Sequence, residues 1–233
     1  MLTPVRTFLR FLHQAGLHPD DLSGAVPRLR SGHYERLPSV WPADAVPRVL
    51  AAVDRGNPTG QRDYAILLLA ARLGMRVGDI KALPLTALHW DTQTIEWVQQ
   101  QTGRPMCLPL LADIGWALID YLQRGRPATP VPEIFVRHRA PFEAFGPHAH
   151  RHTLVAKYIR RAEMPVPRGS HGLPALRHGL ASTFLEAETP LPVIAEILGH
   201  VSTPSTQVYL HVDYEALRRC ALDPEEVFAY VDA

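Results

Sequence analysis

Four side chains in this 233-residue sequence are of the types needed to break a phosphodiester. His200, in Leu198-Gly199-His200, stands nine residues before Tyr209 in LGHVSTPSTQVYLH. That spacing pairs a ring able to hold a phosphate oxygen with a phenol able to attack phosphorus. Far upstream, Arg76 opens a helix after Gly74 in ARLGMRVGDIKAL, and Arg177 sits in the first turn of a helix begun by Pro174 in LPALRHGLAS. Guanidinium groups bind phosphate through two parallel hydrogen bonds and keep their charge, and a helix N-terminus beside Arg76 adds N–H groups that favour an anion. Such chemistry also requires an acid for the leaving oxygen.

The elements that must position these groups are mostly helices. Val5, Phe8, Leu9 and Leu12 recur at helical spacing over 3–15, and Gly16 ends that run. Residues 17–41 carry Pro19, Pro27, Pro38, Gly24 and Gly32 and read as an irregular linker, which sets a boundary near Leu37. Helices are expected over 43–55, 60–73 and 77–83, the second of them apolar almost all round and therefore buried. Thr94-Ile95-Glu96-Trp97-Val98 alternates as a strand, Thr102-Gly103 marks a turn, and Met106-Cys107-Leu108 returns, forming a hairpin with its tip at Gln101 to Arg104. Further helices are expected over 111–123, 148–162, 175–187, 191–198, 203–208 and 213–219, with a last one starting at Asp223-Pro224. The fold class is mainly α with a small antiparallel β-hairpin, an α+β arrangement.

Composition bounds the function classes. With 46% hydrophobic and 20% charged residues the chain reads as a globular protein, neither disordered nor fibrous. Its longest apolar run, Tyr64 to Ala71, is too short to cross a bilayer, and Arg6 and Arg10 interrupt the apolar residues of the start. Cys107 and Cys220 fit no metal or redox spacing, so a cytoplasmic setting is expected. His148, His150 and His152 alternate without a cysteine or carboxylate close by, and no metal site is expected there.

Net charge is only +1, but it is unevenly spread. From Arg137 to Arg177 the chain carries Arg137, Arg139, Arg151, Lys157, Arg160, Arg161, Arg168 and Arg177 against Glu143 and Glu163. Such a window can follow a phosphate backbone or form a solvated basic face, and Arg104 at the hairpin tip adds to it. Lys81 and Lys157 are the only lysines.

LGMRVGDIKAL, the hairpin QQQTGRPMCLPL, LRHGLAS and LGHVSTPSTQVYLHVD, in this order, resemble the tyrosine recombinases, also called phage integrases, over residues 39–219. The likeness is to the integrases of transposons and other mobile elements. It implies a tyrosine recombinase catalytic-domain fold over 39–233, with 1–38 a remnant of an N-terminal DNA-clamping domain plus linker. It implies that Tyr209 attacks a phosphate of double-stranded DNA to form a 3′-phosphotyrosyl link, that Arg76 and Arg177 clamp that phosphate, and that His200 hydrogen-bonds its oxygens. Asp79 matches the family's acidic residue, a buttress for the first arginine. No metal or nucleotide cofactor is implied. The last helix, through Val227, Phe228 and Val231, is expected to dock on a neighbouring copy or on its own core.

Two positions depart from the family pattern. The hairpin lysine that protonates the leaving 5′ oxygen is matched by Gln101, and an amide is not a general acid; Arg104 offers charge but no transferable proton. The histidine three residues before the second arginine is matched by Pro174. His171 precedes that helix and His178 lies about 100° around it from Arg177, and neither is expected to replace the missing ring. With one helix before the catalytic part, DNA binding is expected to be weak at physiological salt. Three readings stay open: an active recombinase, a degenerate integrase that binds DNA as a regulator or relic, and a helical RNA- or protein-binding module that keeps only the fold.

Overall fold

The computed structural model describes residues 2–26, 41, 44–146, 152–165 and 172–199, and the chain divides between Arg36 and Leu37 into two units. In the first, α1 (Leu2–Gln14) is followed by a 3-10 turn, Leu22–Gly24, started by the Asp21 side chain accepting from Ser23 N. Arg6 ties the two together by donating to Val26 O at 2.6 Å and Ser23 O at 3.3 Å.

The second unit contains α2 (Ala45–Ala51), α3 (Pro58–Arg72), α4 (Val77–Lys81), β1 (Leu88–His89), β2 (Thr94–Val98), β3 (Pro105–Pro109), α5 (Ala112–Asp120), α6 (His152–Arg161), α7 (Leu173–Glu186) and α8 (Leu191–Leu198). Its core is α3. Asn57 caps that helix by accepting from Gly60 N at 2.8 Å, and Pro58, which has no N–H to leave unpaired, takes the first position. From Gly60 to Ala71 every residue except Tyr64 is buried, and α5 and α7 pack against it. The helix is apolar nearly all round because it has neighbours on every side.

Burial extends to charge. Asp63, 1% exposed, accepts from Arg62 Nη2 at 2.8 Å and Nε at 3.1 Å on one oxygen, and from Tyr158 Oη at 2.9 Å and Lys157 Nζ at 3.1 Å on the other. A carboxylate this deep is tolerable only when its lone pairs are filled, and here four donors fill them. The network pins α6 to α3.

The expected hairpin forms, with Glu96 opposite Cys107 and Trp97 opposite Met106, and β1 adds a third antiparallel strand through Leu88 and His89. Two residues are too few for an alternation to show in sequence, so β1 was not expected. Ile95 and Trp97 point inward while Glu96 and Val98 face out. The helix expected over 111–123 ends as an α-helix at Asp120 and continues as a wider, π-type turn, Tyr121–Gly125. The helices expected over 203–208 and 213–219 and from Asp223 lie outside the described residues. Among the described residues no helix is long and apolar enough to cross a membrane.

Candidate active site

Arg76 and Arg177 come together at the C-terminal end of α8. Arg76, in extended conformation just before α4, donates through Nη2 to Gly199 O at 3.1 Å. Arg177, on α7 and 9% exposed, donates through Nη2 to Leu198 O at 2.6 Å and through Nη1 to Gly74 O at 2.5 Å. The last carbonyls of a helix have no partner within it and carry the negative end of its dipole, so both guanidiniums meet a complementary charge there. These bonds to backbone carbonyls fix the planes of both guanidiniums.

The turn they hold requires glycine twice. Gly199 closes α8 in left-handed conformation at φ 61°, and a Cβ there would stand 2.0 Å from Gln99 Nε2 and 2.9 Å from Met106 Sδ. Gly74, at φ 62°, faces Leu198, whose Cδ2 would lie 2.6 Å from an added Cβ. Leu198-Gly199 is thereby clamped between α7, the segment before α4 and the hairpin. His200 is the next residue in the chain; it and Tyr209 lie outside the described residues, as do Arg151 and His171.

A cavity of about 310 Å³ opens beside the clamp, lined by Met75, Arg76, Val77, Pro174, Arg177 and His178. Arg76 Nη1 is buried and has no hydrogen-bond partner among the described residues. Burial and the adjacent Arg177 guanidinium hold the His178 imidazole below the usual histidine range, which keeps it neutral near pH 7. Pro174 occupies the first turn of α7, where its ring costs no helical hydrogen bond.

The hairpin reaches the same place. Asp79, 3% exposed, accepts from Gln100 N at 2.8 Å and so ties α4 to the end of β2. Gln99, 2% exposed, accepts from Thr102 Oγ1 at 2.6 Å and packs its amide nitrogen against Gly199. Gln101 is exposed in the turn that Gly103, at φ 68°, completes. Sequence reasoning missed Gln99, although the alternation that buries Ile95 and Trp97 runs on to it.

The basic residues outside the clamp are used unevenly. Lys157 turns inward to Asp63 and Tyr158; burial opposes its charge, but the hydrogen bonds to Tyr158 and Asp63 and the attraction of that carboxylate raise its pKa. Arg137 pairs with Glu143 at 2.5 Å, and Arg161 lies 5.5 Å from the centre of the Tyr158 ring. Arg104, Arg139 and Arg160 are exposed.

The chain has known relatives. The model of the phage integrase family matches residues 40–216. Among relatives in Sinorhizobium fredii, y4rA and y4gC both carry an inferred integrase/recombinase name. The first is 37% identical over 221 residues, covering 94% of this chain and 53% of its own length; the second is 38% identical over 188 residues, covering 80% and 96%. This chain thus spans about half of y4rA and nearly all of y4gC. In fold it is similar to the XerH site-specific recombinase in its post-cleavage complex with palindromic difH substrate, with a TM-score of 0.68 at 19% identity over 84% of this chain and 55% of that one. A family match running through the helices, the sheet and both clamping arginines, together with that likeness of fold, means that this chain belongs to the phage integrase family, the tyrosine recombinases.

Proposed function

We propose that this chain is the catalytic domain of a site-specific DNA recombinase that breaks and rejoins double-stranded DNA through a 3′-phosphotyrosyl link at Tyr209. The observation that carries the reading is the convergence of Arg76 and Arg177 on the carbonyls of Leu198 and Gly199, immediately before His200 in the chain. DNA as partner is supported by a neighbour in fold, the Tn1549 transposon integrase in complex with circular intermediate DNA. Residues 39–233 form this domain, with 1–38 contributing one helix and a linker.

In this reading Arg76 and Arg177 hold the non-bridging oxygens and His200 adds a hydrogen bond. Tyr209 Oη attacks phosphorus, its proton passing to solvent, while the bond from phosphorus to the 5′ oxygen breaks. The linkage energy stays in the phosphotyrosine, so no metal or nucleotide is required. Gln101 cannot protonate the departing oxygen, so water supplies that proton and cleavage is slow. Asp79 acts through the hairpin it holds. The exposed Arg104, Arg139 and Arg160 follow flanking phosphates, and the terminal segment bearing Val227, Phe228 and Val231 docks on a second copy assembled on the DNA.

The same two departures, Gln101 and Pro174, favour one competing reading, an integrase that binds DNA without cutting it. Incubation with a pool of nicked suicide duplexes decides between them. A protein–DNA adduct that survives denaturation supports cleavage; salt-sensitive binding with no adduct at any pH supports the competing reading.

A further inference from the structure

We infer that His178 is a phosphate-contacting residue of this site, donating a ring N–H to an oxygen of the phosphate held between Arg76 and Arg177. The inference rests on the phosphodiester reading above and deepens it.

Of the six residues lining the cavity beside the clamp, Met75, Val77 and Pro174 have no side-chain donor, which leaves Arg76, Arg177 and His178 to meet an anion. Pro174 and His178 are four residues apart on α7, one turn along the same strip. Helical side chains lean toward the N-terminus of their helix, so the ring at 178 covers the surface over the turn that Pro174 begins. Pro174, which offers no donor, and His178 thus lie along one strip of α7 and line one cavity. Angular separation from Arg177 argues against such a role on an isolated helix. In the folded protein the cavity is wide enough to be bounded by both side chains.

The electrostatics suit the role. Two guanidiniums already bound this cavity, and a third cation would repel them in the empty site. Burial and Arg177 keep the ring uncharged while it retains one N–H, so it can donate to phosphate without adding to that repulsion. No proton changes hands in this contact; the ring lowers the energy of the oxygen that gains charge as Tyr209 attacks.

The test uses the full chain with labelled histidines and inorganic phosphate as probe, the His178 ring signals being assigned with His178→Gln. Phosphate is expected to shift those signals saturably. His178→Ala is expected to weaken phosphate binding about tenfold, and His178→Gln, whose amide still donates, by less. Thermal melting confirms that both variants are folded. A ring that phosphate leaves unmoved, or His178→Ala binding phosphate as tightly as the unaltered chain, overturns the inference. The suicide-duplex trap separates this from the broader reading. Undiminished adduct in His178→Ala defeats the role of His178 and leaves the recombinase standing. Phosphate held through His178 in a chain that forms no adduct upholds the contact and counts against cleavage.

Discussion

Gln99 and Gly199 are in such close approach that a single methyl group on Gly199 would stand 2.0 Å from the Gln99 amide nitrogen. The hairpin and the end of α8 are thus fitted to each other at the residue before His200. Gly199→Ala meets both this clash and the cost of a left-handed φ for a residue with a side chain. Urea unfolding is expected to show a loss of about 2 kcal/mol or more. A loss below about 0.5 kcal/mol, as for an ordinary surface change, would show that the contact is not made.

Gln101 stands exposed in the hairpin turn, where a longer cation has room. Gln101→Lys supplies a transferable proton for the leaving 5′ oxygen. The initial rate of adduct formation is expected to rise about a hundredfold or more, within the range of general acid catalysis. An unchanged rate would place the slow step elsewhere.

Asp63 holds Arg62, Tyr158 and Lys157 together beneath the surface. Asp63→Ala leaves the Arg62 guanidinium, 7% exposed, without its counter-charge. Denaturant unfolding is expected to report a loss of about 3–5 kcal/mol. Lys157→Met, which removes a partly exposed member of the network, is expected to cost less.

The pH dependence of stability follows from His178. Its folded pKa lies below the ordinary 6.5, so as pH falls through that value the unfolded chain takes up a proton before the folded one does. Stability from this group is complete above about pH 6.5 and declines below it. His178→Gln is expected to flatten that part of the curve, read as a smaller loss of melting temperature between neutral and mildly acid pH. An identical slope in the variant would show that the ring titrates normally in the fold.

What the sequence disclosed and what it hid have physical causes. The buried α3 was legible because eight consecutive apolar residues leave no polar face, and the hairpin because Thr102-Gly103 interrupts two runs of alternation. The meeting of Arg76 with Arg177 was legible only through motif resemblance, since no local pattern records a contact between residues so far apart. Nothing in the local sequence marks the adjacent Arg62 and Asp63 as a buried pair. That burial depends on Lys157 and Tyr158, which arrive from α6, 94 and 95 residues away. His178 lies around the helix from Arg177, and no local pattern records that both line one cavity. The clamp around Leu198 and Gly199 depends on Gln99, whose amide could be placed only by continuing the β2 alternation past the end of the strand.

The proposed function has the arginine clamp serve a tyrosine nucleophile. It is tested most directly by digesting the trapped protein–DNA complex and locating the modified residue by mass spectrometry, with Tyr209→Phe run in parallel. The expected result is a nucleotide joined to Tyr209 through its 3′ phosphate and no adduct in the variant. An adduct that persists in Tyr209→Phe, or none in the unaltered chain while DNA remains bound, would contradict it.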